Sequence, residues 1–204
     1  MKTLLHVGCG TARQAQTTRG FNQANWRELR LDIDPDMMPD IIGSSTDMTE
    51  VRDESCDAVY SSHNLEHLYP HEVPVALREF RRVLRPGGFA VITCPDLQAV
   101  AEAIAAERLV EPLYTSPSGP VAPIDVLYGY RPALAAGKLH MAHHCGFTEK
   151  VLSGLLRHAG FGGVASRRWP AHWDIWAVAT RDVSPEPELR SLAAEHFPFH
   201  TRGA

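Results

Sequence analysis

A three-layer α/β sandwich around a mostly parallel sheet is the fold class this sequence predicts. Three observations carry it. Apolar, strand-like runs alternate with stretches of helical periodicity over the first half of the chain. The run Leu4-Leu5-His6-Val7 stops at two glycines one residue apart, Gly8 and Gly10. A helically spaced stretch from His71 to Leu84 is cut by Pro86-Gly87-Gly88 before the next apolar run begins.

Residues 3–7 are the first strand, with the apolar character of a parallel strand buried on both faces. The glycines let the chain turn sharply and leave bare backbone for a ligand to lie against. Alone, Gly-x-Gly is an ordinary turn device. Residues 11–26 show no helical stripe and contain Gly20. Arg13 stands where a third glycine would complete the dinucleotide fingerprint. No more than a turn or two of helix is expected here, and a nicotinamide site is disfavoured.

Residues 28–33 form the second strand, ending in Leu31-Asp32-Ile33-Asp34-Pro35. An acid at this strand end can accept both hydroxyls of a ribose. Asp32 is the first choice and Asp34 the second, although an Asp-Pro turn uses the same residue types. Residues 40–43 suit a short third strand. Asp47 follows, where it can also cap a helix. Residues 57–62 are the central fourth strand, and His63–Leu68 the loop leaving it. Pro70 presets a helix over 71–84, with Val73, Ala76, Leu77, Phe80, Val83 and Leu84 on one face. Arg78, Glu79, Arg81 and Arg82 read as its solvated face. Residues 89–94 make the fifth strand, and Asp96 can cap a helix from Leu97 to about Leu109.

Five prolines, three glycines, Tyr114, Tyr128 and Tyr130 then crowd residues 110–140. A structureless span of this length is often a functional lid. A helix over 147–159 and an antiparallel strand pair, 161–168 and 172–180, complete the body. The expected organisation is one domain over 1–181 with a lid-like insertion at about 110–145, then a loose tail over 182–204 that can hold one short helix.

The chain's 204 residues suffice for one sizeable core. No apolar run approaches the ~20 residues of a membrane helix, and Met1-Lys2-Thr3 enters a strand at once, so no signal peptide is expected. The net charge of −4, without a basic block, gives nucleic acid no footprint. Cysteines at 9, 56, 94 and 145 form no Cys-x-x-Cys pair, which suits a reducing cytoplasm.

The series Val7-Gly8-Cys9-Gly10, Leu31-Asp32-Ile33, Ser62-x-x-Leu65-Glu66-His67-Leu68 and Leu84-Arg85-Pro86-Gly87-Gly88 resembles the class I S-adenosylmethionine-dependent methyltransferases, most of all their broad small-molecule group. The resemblance covers roughly residues 3–100 well and 146–180 loosely. It implies a Rossmann-like sheet of seven strands with the last antiparallel, S-adenosyl-L-methionine as cofactor, and a small-molecule acceptor. It implies cofactor contacts at Gly8, Cys9, Gly10, Asp32, Ile33, Asp47, Met48 and Ser62, with Asp47 facing the adenine amino group. The loop after the fourth strand lacks the Asn/Asp-Pro-Pro-aromatic sequence of amide and exocyclic-amine methyltransferases, which disfavours adenine or glutamine as acceptor. His63 is the candidate general base, or else a structural histidine; His67 reads as structural. Tyr128, Tyr130, His140, His143 and His144 are the expected acceptor contacts. His140-x-x-His143-His144-Cys145 holds ligand-type residues, but no second cluster matches it in sequence and no metal is expected. A cofactor-binding protein without catalysis is the alternative, and a nicotinamide-dependent oxidoreductase a weaker one.

Overall fold

The computed structural model describes residues 1–198. Its main sheet has seven strands: β1 (Lys2–Val7), β2 (Trp26–Asp32), β3 (Ile41–Ile42), β4 (Cys56–Ser62), β5 (Leu84–Pro95), and, after a small ribbon of β6 (Tyr114–Ser116) and β7 (Gly119–Val121), β8 (Gly163–Trp169) and β9 (Asp174–Thr180). The order across the sheet is β3-β2-β1-β4-β5-β9-β8. The strands β1 to β5 pair in parallel, and β9 runs antiparallel between β5 and β8. The expected seven-stranded Rossmann-like sheet with an antiparallel last strand is therefore present.

Alternation along each strand splits the core in two. On one face Leu5, Val7, Val59, Ala90, Ile92, Ile175 and Ala177 meet helices α1 (Val73–Val83) and α5 (Glu149–His158). The helix α1 contributes Val73, Ala76, Leu77, Phe80 and Val83, the stripe its spacing predicted. On the other face Leu4, Ala58, Tyr60, Phe89, Val91 and Val178 pack against Phe21, Trp26 and Phe197. The β1–β2 crossover that lies there holds only a 3-10 turn, Gln14–Gln16. The helix α6 (Glu186–His196) covers the gap: Leu192, Ala193 and Phe197 join this cluster, and buried His196 meets Thr18 through Nδ1 and Oγ1 at 2.7 Å. The stretch read as a loose tail is thus packed onto the body as far as Phe197; residues 199–204 lie outside the described residues.

Two further expectations change. The fifth strand starts earlier, at Leu84, with the Pro86-Gly87-Gly88 turn absorbed as a register shift against β4 between Cys56 and Ala58. The 110–145 segment is not structureless. Beyond α2 (Leu97–Ala105) it holds the β6–β7 ribbon, α3 (Pro123–Tyr128) and α4 (Arg131–Ala135). Buried Asp125 binds it together, accepting from the backbone N–H of Ala122 at 2.9 Å and from Arg131 Nε at 2.6 Å. A short-range sequence pattern cannot announce that clasp, because it closes only once α3 has formed. Among the described residues no helix is long and apolar enough to cross a membrane.

Candidate functional site

The chain leaves β1 toward one side of the sheet and β4 toward the other. A crevice opens beyond the carboxyl ends of these strands, the usual ligand position in such sheets. Here a cavity of about 510 Å³ is lined by the β1 turn, the ends of β2 and β3, the loop after β4, and the 110–145 segment. That volume is in the range of cofactor sites.

The β1 turn is built around its two glycines. Gly8 has φ 65°, and a Cβ there would fall 2.4 Å from Asn64 Oδ1. Gly10 has φ 51° and open space where a Cβ would stand. That bare backbone faces the cavity. Asp32, 8% exposed, accepts the Gly10 N–H through Oδ2 at 2.7 Å and the Asp34 N–H through Oδ1 at 2.9 Å. Buried Arg30 donates to the Gly10 carbonyl at 2.5 Å and the Met38 carbonyl at 2.7 Å. Strand β2 therefore holds the glycine turn from two sides.

Residue His63 follows β4 with a left-handed φ of 49°, and its N–H donates to the Thr93 carbonyl. Its Nδ1 lies 3.5 Å from Glu66 Oε1 and its Nε2 3.3 Å from Asp174 Oδ1. Desolvation pulls the imidazole pKa down, but the hydrogen bonds and charges of Asp174 and Glu66 outweigh it and raise the pKa to about 10. With a carboxylate beside each ring nitrogen, the surroundings of His63 fit the alternative of a structural histidine better than that of a general base. Asp174 was missed in the sequence. Its signal was its place at the start of an antiparallel strand, opposite Pro95 at the carboxyl end of β5.

Of the other expected residues, Gly8, Gly10, Asp32, Ile33, Tyr130, His140 and His144 line the cavity. Cys9, Asp47, Met48, Ser62, Tyr128 and His143 are not among its walls. Cys9 is buried, and desolvation pushes its thiol up to about 11. Asp47 is exposed and caps its own turn, accepting from the Thr49 N–H. Met48 is core, with its N–H donated to Glu79. Ser44 and Ser45, two or three residues earlier, take the wall position instead. The Ser62 hydroxyl is bonded to that of Thr93 at 2.7 Å. Tyr128 is 63% exposed. His143, its pKa lowered by burial, bonds the Val126 carbonyl.

The 110–145 segment reaches the cavity with Ser118, Tyr130, Ala133, Lys138, His140, Met141 and His144. Lys138 Nζ and His140 Nε2 lie 3.7 and 3.6 Å from Asp34 Oδ2. The second acid of the Asp32/Asp34 pair thus faces the lid, while the first holds the glycine turn.

Residues 5–92 match the sequence profile of a methyltransferase domain. No curated protein matches the chain. Among solved structures, a methyltransferase of Archaeoglobus fulgidus is 14% identical, with 87% of this chain and 85% of that one covered and a TM-score of 0.55. A Thermotoga maritima methyltransferase is 14% identical over 89% and 83%, TM-score 0.53. The 1,6-didemethyltoxoflavin-N1-methyltransferase of Burkholderia thailandensis, solved with its substrate and S-adenosylhomocysteine, is 17% identical over 88% and 71%, TM-score 0.53. At these identities the likeness is one of fold. With the domain match it bears out the resemblance read from the motifs.

Proposed function

We propose that this chain, whose residues 5–92 carry a methyltransferase domain of the class I, S-adenosylmethionine-dependent type, transfers a methyl group to a small-molecule acceptor. The observation that carries the reading is one cavity whose floor is the glycine turn held by Asp32 and whose roof is the folded lid. The cofactor fits the residues present: open space over Gly10, a largely buried carboxylate at Asp32, and the exposed apolar side chain of Ile33. Gly8 to Gly10 would hold its amino-acid end, Asp32 its ribose, and Ile33 with Ser44 and Ser45 its adenine. When bound, the cofactor supplies a methyl group already activated on a sulfonium.

The protein's own work is then mostly alignment and exclusion of water. Holding the acceptor in line can contribute several kcal/mol, up to about 7–11 in ideal cases. Met141, Tyr130 and His144 give the lid apolar and polar contacts for a small acceptor. His63 keeps the loop after β4 in place by bracing Glu66 and Asp174. A cavity of this size and a net charge of −4 favour a small acceptor over a nucleic acid.

The test is turnover of methyl-labelled S-adenosylmethionine with a panel of small alcohols, thiols and amines, read by mass spectrometry. Label in one acceptor class is the expected result. Tight cofactor binding with no transfer to any acceptor would favour the non-catalytic alternative.

A further inference from the structure

Sequence alone left the histidines of the lid without a partner cluster. Folding supplies one. The 3-10 turn Leu65–His67 lies under the lid's last segment, where the Glu66 carbonyl accepts the N–H groups of His144 at 2.8 Å and Cys145 at 3.3 Å. That junction sets His143 beside His67, with ring centroids 4.7 Å apart and planes at 76°. Each of these rings points Nδ1 at a backbone carbonyl: His67 at Ala142, 3.1 Å, and His143 at Val126, 2.7 Å. A ring that donates from Nδ1 keeps the lone pair of Nε2 for another partner, which is how metal-binding histidines are usually oriented.

The third member is Glu66, 1% exposed. Its Oε1 faces His63, but Oε2 is buried with no hydrogen-bond partner among the described residues. A buried carboxylate oxygen without a partner is costly to keep. One ligand atom from each of Glu66, His67 and His143 lies within 4.8 Å of the others. Tetrahedral zinc, at about 2.0–2.2 Å from nitrogen and oxygen donors, spaces them about 3.4 Å apart, so modest side-chain rotation closes the set.

We propose that Glu66, His67 and His143 form a zinc site with one coordination position left open. Two imidazoles and one carboxylate are a donor set of catalytic zinc, whereas magnesium and calcium favour all-oxygen cages. His67 and His144 also line the cavity, so the ion sits at its wall. The open position suits a hydroxyl or thiol of the acceptor, which zinc would hold and acidify. That use rests on the methyltransferase reading; the metal site itself does not. It also gives the lid a reason to end where it does, since the ion would join His143 of the lid to the Glu66-His67 turn below.

The test is calorimetric titration of zinc chloride into the metal-stripped full chain. One equivalent should bind. His67→Ala and His143→Ala should each weaken it by on the order of 100-fold or more, because outer-shell partners alone are worth about 10–100-fold. Glu66→Gln, nearly the same shape, should weaken it too with the circular dichroism spectrum unchanged, and His158→Ala should leave it alone. Cobalt in place of zinc should show visible absorption of a four-coordinate ion, lost in His143→Ala. Absence of stoichiometric zinc, or wild-type affinity in His67→Ala or His143→Ala, overturns the proposal. S-adenosylhomocysteine binding is measured separately on the stripped protein. Its failure with zinc binding intact would support this site while contradicting the cofactor reading.

Discussion

The floor and the roof of the cavity are built by different means. The floor is the β1 turn and the end of β2, tied by buried, short, backbone-directed bonds: Asp32 to the Gly10 N–H and Arg30 to the Gly10 carbonyl. The roof is the 110–145 segment. It is held to the floor by the longer pairs of Lys138 and His140 with Asp34, from side chains 45% and 38% exposed. A carboxylate that accepts backbone N–H groups out of water fixes a geometry. Exposed pairs at such distances contribute little and separate readily. Under the function proposed above, the difference matches two tasks: a cofactor site has one ligand shape to meet, and an acceptor site must open and close.

The largest expected effect breaks the floor. Gly10→Val puts a branched side chain at φ 51°, in the open space over the turn. S-adenosylhomocysteine binding should fall below detection by calorimetry, with circular dichroism unchanged. The same loss on substituting a lid residue would erase the contrast.

The packing of α6 on the β1–β2 crossover is sensitive to acid. His196 is 2% exposed, and burial, with the Arg19 charge, lowers its pKa to about 4. The unfolded chain protonates it near pH 6.5. Between these values the unfolded state binds more protons, so stability is complete above about pH 6.5 and falls as pH drops toward 4. The loss by pH 4 is about 3 kcal/mol at most. Urea titrations at both ends of that window should show a steeper loss in the wild type than in His196→Gln. Parallel losses would mean that His196 is not the group responsible.

A smaller effect sharpens the comparison. Asp32→Ala should weaken S-adenosylhomocysteine binding by roughly 10- to 100-fold, the worth of about 1.5–3 kcal/mol in charge-assisted hydrogen bonds. Asp34→Ala should change it less than about threefold, because Asp34 faces the lid. Reversed losses would exchange the roles of the two acids.

Smallest is the lid. Lys138→Ala removes one long, half-exposed pair worth under about 1 kcal/mol. Limited proteolysis should cut within 110–145 up to about fivefold faster, and cofactor affinity should hold. Unchanged cutting would show that the Asp125–Arg131 clasp and the bonds to the Glu66 carbonyl hold the segment without Lys138.

What the sequence disclosed follows the same divide. Strands β1, β2, β4 and β5 were legible because buried parallel strands leave apolar runs, and Gly8, Gly10 and Asp32 because they punctuate those runs. Asp47 was misplaced by two or three residues, since nothing in Ser44-Ser45-Thr46-Asp47 says which of them turns inward. The brace of His63 by Asp174 joins residues that only the antiparallel insertion of β9 brings together. The covering role of α6 escaped notice because its apolar stripe is narrow and its partners, Phe21 and Trp26, lie at the other end of the chain. The lid's short elements depend on Asp125, a contact between neighbours in sequence that has no periodic signature.

The central claim is that this cavity holds S-adenosylmethionine on the floor formed by Gly10 and Asp32. Calorimetric titration of the wild-type chain with S-adenosylhomocysteine, and in parallel with NAD, tests it most directly. The account predicts one equivalent of the homocysteine compound bound and no heat from NAD. Binding of NAD without the homocysteine compound would contradict it.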